Sequence, residues 1–399
     1  MATALALVGG LLLAATAILC VPTLVLLVQV IAGKRSLSNA VPSGIRPSLA
    51  VLMPAHNEAA GIAAALATLM PQICPGDRML VVADNCSDDT AAVAIACGAE
   101  VIARTDVSRG GKGYALDHGI RHLAADPREV VLIVDADCSV DGGSVDRLAR
   151  ECAATGCPVQ ALYLMLPPSG GGIGTRIAAF AWALRNEARP LGCARLGMPC
   201  QLMGTGMAFP WLLIARARLA SGHIVEDMQL GLDLAAAGFS PRFCHAARVT
   251  SVFPESEDGA VVQRTRWEHG HLAMIASRGL PLLFRGITQG RPALAAMALD
   301  LCVPPLAALV LMLILMTLCT SALLWVGGSA LPFAMAVLAL MLVTVAVGVA
   351  WYRVARHIVS VDELLSVPRY IFAKIPIYLK LFTARQRQWV RTKREGPTK

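Results

Sequence analysis

Charge is scarce in this sequence. Asp, Glu, Lys and Arg make up only 16% of its 399 residues while 56% are apolar, a balance that excludes a chain dissolved in water along its whole length. The deficit is concentrated: residues 2–32 carry no charge, and neither do residues 301–352, which GGSALP at 327–332 divides in two. At about 1.5 Å per residue, each of the three pieces reaches across a bilayer core. No Lys or Arg precedes the first run, and it exceeds the ~7–15 apolar residues of a secretory signal, so it reads as a retained anchor. Lys34 and Arg35 follow the first run, and Arg353 and Arg356 follow the last. The positive-inside rule then gives three crossings, N-terminus out and C-terminus in, which places the chain in the inner membrane as a multi-pass protein.

Cys-x-x-Cys spacing is also lacking. Twelve cysteines are scattered along the chain, largely in what reads as its cytoplasmic part, which excludes a disulfide framework and leaves reduced, small apolar side chains. His118 and His122 stand four apart on an expected helix but have no third ligand at suitable spacing, so they read as surface histidines. His269 and His271, two apart, diverge on a helix. No internal repeat appears. Positive charge, by contrast, is gathered at one end: residues 353–399 hold 11 Lys or Arg against 3 Asp or Glu, a net +8 equal to that of the whole chain. Basic and apolar residues mixed as in PRYIFAKIPIYLKLFTARQRQWV suit an amphipathic segment on anionic lipid rather than a nucleic-acid partner. Residues 281–300, with Arg285 and Arg291 among apolar neighbours, read as a second interfacial segment.

What is present lies between the apolar runs. Strand-length runs (SLAVLMP, RMLVVAD, AEVIART, EVVLIVD) alternate with helix-length stretches from residue 48 onward, the pattern of a doubly wound, mostly parallel α/β sheet with helices on both faces. Ligands of such sheets gather past the carboxyl ends of the strands. There stand Asp135 and Asp137, at the tip of the uninterrupted run 130–134, where both side chains leave one face. After them the alternation loosens into a candidate strand PVQALYLML, a Gly-rich turn, and helices from Arg176, from Glu226, and over 258–277.

The ordered set PAHNE at 54–58, ADNCSDDT at 83–90, RGGKGYAL at 109–116, DAD at 135–137, GTG at 204–206, VED at 225–227 and QRTRW at 263–267 resembles the catalytic domain of membrane-bound family 2 inverting glycosyltransferases, of the cellulose synthase and ceramide glucosyltransferase kind. The resemblance covers about 48–275 and implies a GT-A-type, Rossmann-like domain. It implies that Pro54, Glu58 and Asp84 line the base and ribose pocket, that Lys112 meets the diphosphate, and that Asp137 with Asp135 holds Mg or Mn, with Asp135 also on the nucleotide sugar. It makes Asp227 the general base with Glu226 as rival, and puts Gln263, Arg266 and Trp267 at the acceptor and diphosphate. The sequence departs from the usual pattern at Ala83, where many relatives have aspartate, and at Cys86, where Ser or Gly is usual.

The expected domains are an anchor over 1–33, a cytoplasmic glycosyltransferase domain over 45–280, an interfacial segment over 281–300, two transmembrane helices over 301–352 and a basic tail over 353–399. Few membrane helices leave few walls for a polysaccharide channel. The expected reaction is therefore transfer of one sugar from a nucleotide-sugar donor, a UDP-hexose by resemblance, to a lipid or lipid-linked saccharide. A processive synthase completing its channel through an oligomer, and a non-enzymatic nucleotide sensor, are the alternatives.

Overall fold

The computed structural model describes residues 2–33, 41–254 and 257–383. The flanking charges Lys34 and Arg35 and the end of the basic tail, 384–399, lie outside the described residues. The chain divides into two compact units.

One unit takes in residues 36–171 and 197–270 and contains the sheet. Its strands are β1 (Leu49–Ala55), β2 (Arg78–Asp84), β3 (Glu100–Arg104), β4 (Val130–Ile133), β5 (Ser139–Val140), β6 (Val159–Leu166), β7 (Met207–Pro210) and β8 (Arg242–Val252). The order across the sheet is β3-β2-β1-β4-β7-β6-β8-β5. The first four strands are mutually parallel, joined by helices Ile62–Leu69, Thr90–Ala96 and Lys112–Leu123. Runs such as Leu49–Met53, Leu80–Val82 and Val130–Val134 are buried throughout, as strands covered on both faces must be. The Lys112–Leu123 helix lies close on the sheet because Gly119 faces β1. A Cβ there would fall 2.4 Å from Leu52 Cδ1.

The rest of the sheet corrects the expectation of a mostly parallel α/β fold. β7 runs antiparallel to both β4 and β6, and β5 antiparallel to β8, so the sheet is mixed and curled. Helix accounts for 58% of the described residues and strand for 13%. The physical reason is local. β7 has only four residues, too few to carry a period, and it enters the sheet as a wedge between two strands of common direction.

β7 also positions the site. Because it runs opposite to β4, with Met207 paired to Ile133, the loop leading into it meets the carboxyl end of β4. The GTG segment and the DAD segment thus share one edge with the ends of β1 and β2.

The second unit comprises residues 1–35, 172–196 and 271–385. Among the described residues, three helices are long and apolar enough to cross a membrane by length and composition: Thr3–Ala32, Leu306–Trp325 and Leu331–Ala355. Its core holds a buried charged cluster. Arg189 donates to Asp300 Oδ1 at 2.7 Å and to Gln29 Oε1 at 2.8 Å, and Gln29 Nε2 donates to the same Asp300 oxygen at 2.7 Å. Each member has a partner, the condition under which buried charge is tolerated. Gly192 packs so tightly on the first helix that a Cβ would lie 1.8 Å from the Gln29 carbonyl oxygen. All twelve cysteines are free.

Candidate active site

The tips of β1 and β2 carry Pro54, Glu58 and Asp84, the residues expected at the nucleotide. Pro54 is half-buried near the end of β1, and Asp84 ends β2 with 5% of its surface exposed. Just past each tip an asparagine adopts a left-handed backbone, Asn57 at φ 54° and Asn85 at φ 51°. Asparagine tolerates this conformation because its short side chain bonds locally. Asn57 Oδ1 accepts from Ser87 N–H at 2.7 Å and Asn85 Oδ1 from Asp106 N–H at 2.7 Å, so the two turns are cross-tied to their neighbours. Glu58 is half-buried, its backbone N–H donating to Thr90 Oγ1 at 2.8 Å. His56 Nδ1 lies 2.6 Å from the Asp84 carbonyl oxygen. Asp84 itself is bound by Arg104, whose guanidinium donates at 2.5 Å. Arg104 also stacks over the Tyr114 ring, 5.4 Å from its centre. The sequence reading missed Arg104.

At the end of β4 the charged groups converge. Lys112 Nζ lies 2.5 Å from Asp135 Oδ1 and donates to the Gly204 carbonyl at 2.7 Å. Burial opposes the Lys112 charge, yet Asp135, Glu226 and Asp227 together outweigh it and hold its pKa above the ordinary value. Burial raises Asp135, the Lys112 ammonium works against that, and Asp137 and Asp227 add to it. Asp137 is half-buried, and the Cys138 thiol donates to its Oδ1 at 3.3 Å. Glu226 and Asp227 open the Glu226–Ala237 helix, where the macrodipole favours negative charge. Asp227 reaches the GTG loop: a Cβ on Gly204 would sit 3.4 Å from its Oδ2. Burial first and then Asp227 push Glu226 up to about 7, with Lys112 pulling the other way.

Gln263, Arg266 and Trp267 lie on the Glu257–Met274 helix, Gln263 buried and the other two half-buried. This helix packs at Gly270 against Val225, the residue before Glu226, where a Cβ would approach Val225 Cγ1 to 2.7 Å. The structure therefore brings Lys112, Asp135, Asp137, Glu226 and Asp227 together, and sets Pro54, Glu58 and Asp84 at or just past adjacent strand tips. His122 pairs with Glu100 Oε1 at 2.6 Å.

Among the described residues no three His, Cys, Asp or Glu side chains are grouped to hold a metal by themselves. Asp135 and Asp137 nonetheless supply hard oxygen donors of the kind Mg and Mn prefer, and a cation already sits on Asp135 in the form of Lys112. A divalent ion there would complete its shell with diphosphate oxygens and water.

Glycosyl transferase family group 2 matches residues 130–354, more than half of the chain, and glycosyl transferase family 2 matches 50–163. An uncharacterised glycosyltransferase of Mycobacterium tuberculosis (strain H37Rv) is 33% identical over 205 residues, 46% of this chain and 85% of the relative. Of solved structures, the mannosyltransferase PcManGT from Pyrobaculum calidifontis, in complex with GDP-Man and Mn2+, is similar with a TM-score of 0.57 at 17% identity, over 95% of this chain and 100% of that one, a likeness of fold. Glucosyl-3-phosphoglycerate synthase from M. tuberculosis, with Mn2+, UDP and phosphoglyceric acid, has a TM-score of 0.40 at 25% identity, over 57% of this chain and 78% of that one.

These findings correct two expectations. The narrower resemblance, to the membrane-bound cellulose synthase and ceramide glucosyltransferase kind, gives way to the broader family, because what matches more than half of the chain is glycosyl transferase family group 2. The multi-pass inner-membrane location with its catalytic domain toward the cytoplasm is likewise set aside. The three apolar helices, 17%, 33% and 28% buried, are a fact of length and composition rather than of location. On the strength of the family match and of the charged cluster at the sheet's edge, the chain belongs to glycosyl transferase family group 2 and is a nucleotide-sugar-dependent glycosyltransferase.

Proposed function

We propose that this enzyme transfers one hexose, with inversion at the anomeric carbon, from a nucleotide-sugar donor to a lipid or lipid-linked saccharide. The observation that carries the reading is the convergence of Lys112, Asp135, Asp137, Glu226 and Asp227 at one strand edge. UDP-hexoses are the first donors to test, with Pro54, Glu58 and Asp84 on the nucleotide. The attachment of the catalytic unit to long apolar helices in the same polypeptide supports an apolar acceptor.

Inversion by a single displacement needs a base on the face of the sugar opposite the leaving group. Asp227 accepts the proton of the attacking hydroxyl, for which it must come within ~2.6–3.2 Å. Glu226, pushed up to about 7, holds a proton over part of the neutral range and is the weaker candidate for the base. Lys112 turns its ammonium from Asp135 to the diphosphate as a point charge. Asp135 and Asp137 hold Mg or Mn, which when bound stabilises the charge of the departing nucleoside diphosphate. Gln263, Arg266 and Trp267 orient the acceptor, Trp267 offering a flat apolar surface to a sugar ring and Arg266 a fork to diphosphate oxygens.

The test is a donor screen that follows nucleoside diphosphate release with Mg or Mn and lipid extract, with NMR of the product's anomeric centre. Expected is metal-dependent release from one sugar nucleotide and a single added sugar of inverted configuration. Long polymer as the sole product, or retained configuration, overturns the proposal.

A further inference from the structure

We infer that Gln160 and Thr205 are positioning residues for the Lys112–Asp135 pair: a buried amide and a buried hydroxyl that fix the GTG loop and, through it, the cation-binding end of β4. The inference rests on the donor and metal roles proposed above for Lys112 and Asp135.

Gln160 sits in β6 with none of its surface exposed, among the apolar residues of VQALYLML. A buried amide must find partners, and this one does so on the loop before β7. Its Oε1 accepts from Met203 N–H at 2.8 Å, and its Nε2 donates to the carbonyls of Thr205 at 2.9 Å and Ala161 at 2.8 Å. One N–H and two carbonyls leave no choice in how the amide is turned. The loop needs such a tie. The β6–β7 ladder pairs only Val159 with Ala208 and Gln160 with Met207, and closes with Ala161 N–H on the Gly206 carbonyl at 2.8 Å. Beyond that point the chain passes through two left-handed glycines, Gly204 at φ 94° and Gly206 at φ 65°, and leaves the ladder. The Gln160 side chain takes over as a surrogate strand, holding Met203 and Thr205 from behind.

The front of the same loop touches the reactive groups. Gly204 presents its carbonyl to Lys112 Nζ at 2.7 Å. Thr205, fully buried, accepts at Oγ1 from the backbone N–H of Asp135 at 3.0 Å. Hydrogen bonds behind the loop and in front of it therefore share three consecutive residues. A loop released at Gln160 loses the fixed position of the Gly204 carbonyl, and a residue 205 without its hydroxyl leaves the Asp135 N–H unpaired.

Three variants test this: Gln160→Met and Thr205→Val, which keep approximate volume and remove the polar contacts, and Thr205→Ser, which keeps the hydroxyl. Val51→Ala, in the buried middle of β1, controls for loss of core packing alone. The readout is Mn2+ retained by the full-length protein in equilibrium dialysis, with UDP or with GDP present at the same concentration on both sides of the dialysis membrane. Outer partners of metal ligands commonly contribute ~10–100-fold in affinity. Thr205→Val and Gln160→Met are expected to weaken Mn2+ binding by about that factor, while Thr205→Ser and Val51→Ala bind as wild type. Wild-type affinity in Thr205→Val, or an equal loss in Thr205→Ser, overturns the inference; should Gln160→Met not fold, the Thr205 pair decides. A wild-type protein that takes up Mn2+ with neither nucleotide refutes the proposed function instead, so the two failures are distinct.

Discussion

Replacement of Glu226 by glutamine should remove a loss of stability that the protein suffers as pH rises. In the folded chain this carboxyl is pushed up to about 7 from 4.5, by burial first and by the Asp227 carboxylate second. Between these values the folded protein holds a proton that the unfolded chain has released. The stability contributed is then complete below pH 4.5 and is lost as pH rises through 7. At ~1.4 kcal/mol per pH unit the full loss is about 3 kcal/mol, an upper bound because Glu226 is partly solvated. Glutamine has the same shape and does not titrate, so Glu226→Gln should lack this fall and be the more stable protein at pH 8. Thermal unfolding of both proteins at intervals from pH 5 to pH 8 measures the difference. At ~2–4 °C per kcal/mol for a unit of this size, the melting temperatures should diverge by several degrees as pH rises. Curves that stay parallel across the range would refute the argument, since they would mean that Glu226 is ionised throughout.

Asp137→Asn and Asp227→Asn should each lower turnover by about 10²–10⁴ with little change in melting temperature; nucleoside diphosphate release is the assay, and undiminished release in both removes the mechanism. In the other unit, Arg189→Met leaves Asp300 buried beside Gln29 without its cation, and should cost about 3–5 kcal/mol in denaturant unfolding. Gly206→Ala adds a methyl 2.8 Å from Val249 Cγ2 and 2.9 Å from Ala161 Cβ, at a left-handed position. It should destabilise by about 1–3 kcal/mol, visible as a lower melting temperature and, because the loop carries Gly204, as weaker donor binding.

The first half of the sheet was legible because its signals are strong ones. RMLVVAD matches β2 at both ends, and the runs around β1, β3 and β4 fall within a residue or two of the observed strands. Strands buried on both faces must be continuously apolar, and the helices between them set their direction. The second half was not legible in the same way. MAFP is too short to show a period, and nothing in it announces that it runs against its neighbours. RFCHAARVTSV, which forms β8, is interrupted by arginines and a histidine because it lies nearer the sheet's edge, so its apolar pattern is broken. A mostly parallel sheet follows from extending the first half's rule across a region where an antiparallel strand of four residues resets the direction.

The site divides along a different line. Carboxylates at strand tips and at the start of a helix are readable from sequence, since position alone gives them exposure and a partner of opposite charge. Their supports are readable only once register is known. Asp84 and Arg104 stand directly opposite each other in the β2–β3 ladder, a pairing fixed by how two strands slide together and not by any motif. The consequence for chemistry is direct. An aspartate expected to act by itself shares its carboxylate with a guanidinium held at 2.5 Å and stacked on Tyr114, so the tip of β2 presents an acceptor joined to a donor. Gln160 follows the same logic. One amide in an otherwise apolar strand announces that a buried partner exists, but only the antiparallel entry of β7 determines that the partner is the loop beneath Lys112.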